Sequence, residues 1–146
     1  MLNTRTYNPA WALTVLRIVT GIVFLMHGWQ KLAIMGIGGF AGFLGQLGIP
    51  GEEVAAVVVT AIEVIGGLAL ILGIGTRWVA IPLAFDMLVA LVTVHLAAGF
   101  FVSEGGYELV LLLLAASVAL ILGGSGALAL ENQVRGRRAA LTTEAV

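Results

Sequence analysis

Long apolar runs, separated by short stretches of Gly, Pro and charged residues, dominate this sequence. Of the 146 residues, 60% are hydrophobic and only 10% are charged. Soluble domains contain about 25% charged residues, whereas a helix that crosses a hydrocarbon core of about 30 Å needs roughly 20 apolar residues. The chain is therefore predicted to be an integral membrane protein that folds within a lipid bilayer.

The lengths of the apolar runs predict an all-α fold, a membrane bundle of four helices. The first run is too long for a signal peptide and is interrupted by Arg17, so we interpret it as a retained helix. We expect one membrane domain over 1–131 and a short, disordered cytoplasmic tail over 132–146. The predicted spans are 11–29, 54–74, 78–96 and 107–122. The sequence also allows the fourth helix to extend to residue 130.

The long first loop contains a short amphipathic pattern. Phe40, Phe43, Leu44 and Leu47 follow the spacing of one helix face, and Pro50 comes after them. The pattern predicts a short interfacial or partly re-entrant helix in the outer loop. The alternative is a mobile loop, because the segment is rich in glycine.

The distribution of basic residues predicts the orientation in the membrane. One side of a four-span topology would hold Arg5, Arg77, Arg135, Arg137 and Arg138, whereas the other side would hold only Lys31. Because short cytoplasmic segments are enriched in Lys and Arg, we expect both termini to be cytoplasmic.

Charge and cysteine content exclude several kinds of chemistry. The formal net charge is −1, so no basic surface indicates nucleic-acid binding. The chain has no cysteine, which removes thiol relays and iron–sulfur clusters as chemistry of this chain alone. No metal site is predicted.

Three ionisable residues lie deep within the predicted spans. At a rise of about 1.5 Å per residue, Arg17, Asp86 and Glu63 lie roughly 9, 12 and 17 Å from the cytoplasmic helix ends. Because a carboxylate at such depth costs roughly 2.5–3.5 kcal/mol, both carboxyl groups must face the bundle interior, form an ion pair or be protonated. We predict that Arg17 pairs with one of them and that the other, preferentially Glu63, holds a proton.

These three residues are the candidate catalytic groups. Two alternatives remain open at this point. Arg17 could snorkel to the inner interface, since its side chain is long. The ion pair could also serve only to fix the register of the helices.

A second set of polar residues lies in the outer half of the predicted bundle. His27 and His95 lie at roughly 24 and 26 Å, and Lys31 follows His27 by one helical turn. These residues are candidates for binding a cofactor or polar ligand head group, together with Glu108 and Trp29. Gly28 would allow close approach to the first helix, and Gly66 and Gly67 would allow close helix packing.

The two histidines have two other interpretations. They could simply form hydrogen bonds to loops at the interface. Histidines on two helices at one depth could also ligate a b-type haem, but spacing alone does not favour that assignment.

Several motifs together give the chain a family resemblance. They are "LRIVTGIVFLMHGWQKL", "IEVIGGLALILGIGTRWVAIPLAFDMLVALVTVH" and "GFFVSEGGYELVLLLLAASVALILGGSGALALE". Across residues 13–131 the sequence resembles the DoxX family of small bacterial inner-membrane proteins. Members of the family commonly have a G-P-G-x-x-S-L-D-like motif near their end, and the segment "GGSGALALEN" matches this motif only loosely. The resemblance implies a four-helix bundle with both termini inside and matched polar positions at Arg17, His27, Lys31, Glu63, Thr76, Arg77, His95 and Glu108.

The resemblance also implies a function. The family is named for a protein similar to the small subunit of a thiosulfate:quinone oxidoreductase, and other members resemble membrane partners of redox-defence proteins such as superoxide dismutase and a sulfurtransferase. We therefore expect a redox-associated membrane subunit that binds a quinone or similar amphipathic ligand and depends on a partner oxidoreductase. The alternatives are a non-catalytic tether or assembly factor and a small proton-coupled transporter; a homo-oligomer is compatible with each.

Overall fold

A computed structural model describes residues 8–134 of the protein, and its regular structure there is entirely helical. This confirms the predicted all-α class, including the short helix in the first loop. Arg5, Arg135, Arg137 and Arg138, with most of the predicted polar tail, lie outside the described residues. The helices are α1 (Pro9–Trp29), α2 (Ile37–Gln46), α3 (Glu52–Leu72), α4 (Thr76–Ala90) and α5 (Glu108–Gly123).

Two of the helices continue with a change of winding. After α1 the chain forms a π-helical segment over Gln30–Met35, and after α4 it forms another over Leu91–His95. In the described part of the chain, three helical stretches are long and apolar enough to cross a membrane: Pro9–Met35, Glu52–Leu72 and Thr76–Ala98. The apolar α5 has 16 residues and is about 24 Å long, shorter than these three.

The long helices run alternately up and down, so the bundle has two distinct ends. The start of α1, the α3–α4 turn and the end of α5 lie together at what we call the terminal end, where Leu13 faces Gly123. The opposite loop end contains α2 and the connection between α4 and α5. The fourth helix does not make the allowed continuation through 130, because Gly124 has a φ of 84° and α5 ends at Gly123.

Glycines set the distance between α1 and α3. A Cβ atom added to Gly67 would lie 2.6 Å from the Leu25 backbone nitrogen and 2.7 Å from the Gly21 carbonyl oxygen. A Cβ atom at Gly28 would lie 3.0 Å from the Cβ atom of Glu63. The two backbones therefore approach so closely that a side chain larger than hydrogen does not fit, and Glu63 is held against α1.

We expect Gly67→Ala to destabilise the bundle by about 1–3 kcal/mol, because the added methyl group meets rigid backbone atoms. The measurement is the free energy of unfolding in mixed detergent micelles. Gly42→Ala in α2 is the matched control, since nothing lies within 4 Å of a Cβ atom there. An equal loss of stability in both variants would contradict this account of the α1–α3 contact.

The short helix α2 packs on the beginning of α3. Its residues Phe40, Ala41 and Leu44 are buried in a small hydrophobic cluster with Ala56. The predicted apolar face is thus confirmed at Phe40 and Leu44, whereas Phe43 stays 37% exposed. This packing places the aromatic side chains of α2 beside the loop end of the bundle.

Candidate functional site

A cavity of about 540 Å³ lies at the loop end, among residues of all five helices. Its wall is mostly apolar and includes the aromatic side chains of Phe24, Phe40, Phe43 and Phe85. Its polar side chains are those of His27, Gln30, Lys31, Glu63, Asp86, Thr93 and His95. An apolar pocket of this size with a few convergent polar groups has the general character of a small-molecule binding site.

An ion pair between α1 and α3 forms part of the cavity wall. The Lys31 ammonium nitrogen lies 2.6 Å from a Glu63 carboxylate oxygen, and the side chains are 17% and 2% exposed, respectively. The same nitrogen lies 5.3 Å from the centroid of the Phe40 ring, which adds a cation–π contact. Lys31 therefore connects α1, α2 and α3 at the cavity.

The two π-helical segments position side chains of this site. Lys31 lies in the segment after α1, and His95 ends the segment after α4. A π-helical turn rotates the following side chains relative to a regular α-helix and occurs frequently at functional sites. The departures from α-helical winding thus occur at the cavity.

The histidines are oriented by backbone carbonyl groups. His27 Nδ1 lies 2.9 Å from the Val23 carbonyl oxygen, and His95 Nδ1 lies 2.6 Å from the Gly105 carbonyl oxygen. Because a carbonyl oxygen only accepts, Nδ1 is the donor in each ring, and Nε2 remains available as an acceptor in the neutral imidazole.

Asp86 contributes a carboxyl group without a protein partner. Its Oδ2 atom is buried and has no hydrogen-bond partner among residues 8–134. Asp86 lines the cavity and interacts electrostatically with both Glu63 and Lys31. A buried polar atom left unpaired in this way is uncommon and indicates a place for a ligand or an ordered water molecule.

Glu108 and Trp29 do not line the cavity. A Glu108 carboxylate oxygen accepts a hydrogen bond of 2.7 Å from the Val102 backbone N–H, and thereby holds the α4–α5 connection in place. That connection contributes Val102 and Gly106 to the cavity wall. Trp29 is 53% exposed on the outside of α1. Glu108 is thus a positioning residue in this geometry, and Trp29 faces the surroundings of the bundle.

The expected pairing of Arg17 with Glu63 or Asp86 is wrong. Arg17 is 1% exposed, but within residues 8–134 its guanidinium group donates only to backbone carbonyl oxygens. Because the group is bonded inside the bundle, the snorkelling alternative does not apply either. Glu63 pairs instead with Lys31. The deep ionisable residues and the outer set of polar residues are therefore in direct contact and do not form two separate layers. The acceptors of Arg17 are Leu70, Ile71, Ser125 and Leu128.

These contacts form a structural anchor at the terminal end. The Nη1 group of Arg17 donates to the last turn of α3, with a distance of 2.8 Å to the Ile71 oxygen, and a positive charge is favourable at a helix C-terminus. The Nε group donates to the Ser125 oxygen at 2.9 Å. The Thr14 hydroxyl accepts from the Ala127 N–H at 2.9 Å and so supports the same segment. Arg17 therefore fixes the chain after α5 against α1 and α3.

Some contributions to the site were not predicted from the sequence. Phe85 and Phe40 line the cavity, and the only signals for them in the sequence are that Phe85 directly precedes Asp86 and that Phe40 lies on the apolar face of α2. The partners of Arg17 are backbone atoms, which leave no residue-specific signal. Within residues 8–134, His, Asp and Glu side chains form no group of three that would hold a metal ion.

The fold defines a small helical membrane protein with an internal cavity that contains charged side chains. The chain belongs to the DoxX family, whose sequence profile matches residues 12–96. It is 40% identical over 117 residues to a Bacillus subtilis protein named "Putative oxidoreductase CatD", covering 80% of this chain and 82% of that protein. No solved structure matches the chain significantly.

Two further relatives have no assigned activity. An uncharacterized protein of Haemophilus influenzae is 36% identical over 136 residues, which cover 91% of this chain and 97% of that protein. The Mycobacterium tuberculosis "Uncharacterized membrane protein Rv3486" is 31% identical over 122 residues, with 72% of each chain covered. The likeness thus extends over 72–97% of the length of the three relatives.

Proposed function

We propose that the protein is a redox-associated membrane subunit that binds a quinone or a similar amphipathic ligand in the cavity at the loop end. The observation that supports this most directly is the combination of an apolar, aromatic wall with the Lys31–Glu63 pair and Asp86 in one space of about 540 Å³. A quinone ring can be covered by the aromatic wall while its two oxygens reach the polar side chains. When bound, a quinone would supply two-electron chemistry coupled to proton transfer.

The protein's own residues suit the binding of such a ring. The Lys31 ammonium group has three N–H donors, and the pair with Glu63 uses one of them. The remaining donors can bind a ligand oxygen, and the Nε2 atoms of His27 and His95 can accept a hydrogen bond or a proton. Phe85 and Val58 line the cavity while remaining partly exposed, which favours entry of an apolar tail from the bilayer.

A partner oxidoreductase is part of the proposal. The chain has no cysteine and its residues form no flavin or iron–sulfur motif, so the electrons must come from or go to another redox protein. The name of the Bacillus subtilis relative supports an oxidoreductase context. We place the protein in the bacterial inner membrane with both termini cytoplasmic, and the position of Arg77 at the terminal end is consistent with that orientation.

Direct binding to the purified protein tests the proposal. We expect a short-chain quinone to bind saturably in detergent, and Val59→Trp to raise its dissociation constant at least about tenfold, because the indole fills the cavity. Val57→Trp is the matched control, since Val57 lies on the same helix, is 53% exposed and does not line the cavity. Mass spectrometry of co-purifying lipids should also find a quinone with the unmodified protein.

Two outcomes would contradict the proposal. One is the absence of saturable binding; the other is equal binding by the two tryptophan variants. If the protein instead co-purified stably with a peripheral redox protein and showed no quinone binding, a non-catalytic tether would account better for the result.

A further inference from the structure

The polar groups of the cavity are unequal in what they offer to a ligand. Lys31 is its only cationic side chain and is already paired with Glu63, whereas Asp86 has no partner among the described residues. The other polar side chains that line the cavity are those of His27, His95, Gln30 and Thr93. The cavity therefore holds one carboxyl group more than it has cations to balance.

The free hydrogen-bonding capacity of the cavity is correspondingly rich in acceptors. Asp86 Oδ2 is an unpaired acceptor, and the two histidine Nδ1 groups donate to carbonyl oxygens, which leaves both Nε2 atoms as acceptors in the neutral rings. The remaining N–H donors of Lys31, and the Gln30 amide group, which both donates and accepts, balance only part of this set. A ligand that carries donors satisfies the cavity better than one that carries only acceptors.

This difference separates the two redox forms of a quinone. The oxygens of the oxidised form are carbonyl groups, which only accept; they can pair with Asp86 only when its carboxyl group is protonated, and they leave an ionised carboxylate unpaired. The hydroxyl groups of the reduced form both donate and accept, so one can donate to Asp86 while another accepts from Lys31. The free-energy cost of leaving a buried acceptor unpaired is larger than the free energy gained from an ordinary hydrogen bond.

We propose that the cavity selects a ring bearing hydroxyl groups, a quinol, over the corresponding quinone, and that Asp86 is the residue that sets this preference. The inference rests on the proposed function, because it assigns the redox form bound in the same cavity. It concerns binding only and requires no electron transfer by the isolated chain.

Parallel titrations with a short-chain benzoquinol and the matching benzoquinone test the inference. The quinol is kept reduced with dithionite under argon; the absence of cysteine means that neither the reductant nor the quinone modifies a thiol. We expect the unmodified protein to bind the quinol about tenfold more tightly than the quinone, the ratio expected when one charge-assisted hydrogen bond is present in only one complex.

The variant Asp86→Asn should weaken quinol binding without weakening quinone binding. The amide N–H group can donate to a quinone carbonyl, so quinone binding should strengthen or stay constant while quinol binding weakens severalfold. Glu104→Gln, which removes an exposed carboxyl group away from the cavity, should leave both affinities unchanged. A purely structural role of Asp86 would weaken both ligands together.

The outcomes separate this inference from the function on which it rests. Saturable binding of both forms with equal affinity, or tighter binding of the quinone, would overturn the quinol preference and leave the quinone site intact. Absence of binding by either form would overturn both. If Asp86→Asn failed to fold, the comparison of the two redox forms on the unmodified protein would still decide the preference.

Discussion

Lys31→Met should destabilise the protein by about 3–5 kcal/mol, because it leaves the Glu63 carboxylate buried without its partner. Glu63 is only 2% exposed and lies 2.6 Å from the Lys31 nitrogen, so solvent compensates little for the lost ammonium group. The substitution also removes the contact with the Phe40 ring and so loosens α2. The measurement is the free energy of unfolding of the purified protein in mixed micelles.

The double variant Lys31→Met with Glu63→Gln provides the control. With both charges removed, no unpaired charge stays buried, and most of the lost stability should return. Recovery would show that the loss in the single variant comes from an isolated charge. A single variant as stable as the unmodified protein would contradict the ion pair; a double variant no better than the single one would contradict its role as the source of the loss.

Arg17→Lys should have a comparably large effect, a loss of about 3 kcal/mol or more, although the charge is kept. The guanidinium group reaches four carbonyl oxygens on two separate parts of the chain. A lysine ammonium group is a point donor without the planar fork, so several of these buried acceptors would lose their partner. We expect faster hydrogen exchange in 125–129 together with the lower free energy of unfolding.

Arg77→Lys is the matched control for this substitution, because Arg77 lies at the same end of the bundle but is exposed. The dissociation constant for a quinone, measured on the folded fraction, should stay unchanged in Arg17→Lys, since Arg17 does not line the cavity. A stable Arg17→Lys variant with weakened ligand binding would show that Arg17 belongs to the binding site and contradict its structural assignment.

The spans were predictable because the bilayer constrains composition so strongly. Apolar runs of about 20 residues have few alternatives to a helix in lipid, since each backbone polar group must be paired inside the segment. The same reasoning identified Gly28 and Gly67 as positions of close packing, which the contacts of α1 with α3 confirm. It also identified the polar residues that had to face inward.

The relative register of the helices could not be predicted in the same way. Counting from the helix ends placed Glu63 and His27 at depths of roughly 17 and 24 Å, in different layers. The structure instead packs Glu63 against Gly28, the residue next to His27. The first turns of α1 extend past the end of α3. The carbonyl oxygen of Ala10 therefore accepts a hydrogen bond from the backbone N–H of Ala127, which follows α5, instead of contacting α3. Counting from the ends assumes that helices begin at one level, and these helices do not.

The partners of the charged side chains could not be predicted from the sequence for a related reason. The sequence assigns Lys31 to the outer set of polar residues, apart from Glu63, but the π-helical segment after α1 places it on the cavity side, beside Glu63. The sequence predicted a carboxylate as the partner of Arg17, because a pattern of side chains does not show which backbone carbonyl oxygens will lie near the guanidinium group. Both assignments depend on backbone geometry that emerges only when the helices are packed.

Photolabelling tests the central claim, that the cavity at the loop end is the ligand site, most directly. A photoreactive short-chain quinone, activated on the protein in lipid nanodiscs, should label residues of 40–44 in α2 and of 85–94 in α4 and the π-helical segment after it. An excess of unlabelled quinone should abolish the labelling. Labelling that spreads over lipid-facing positions such as Val54 and Leu122, or that excess quinone does not reduce, would contradict the claim.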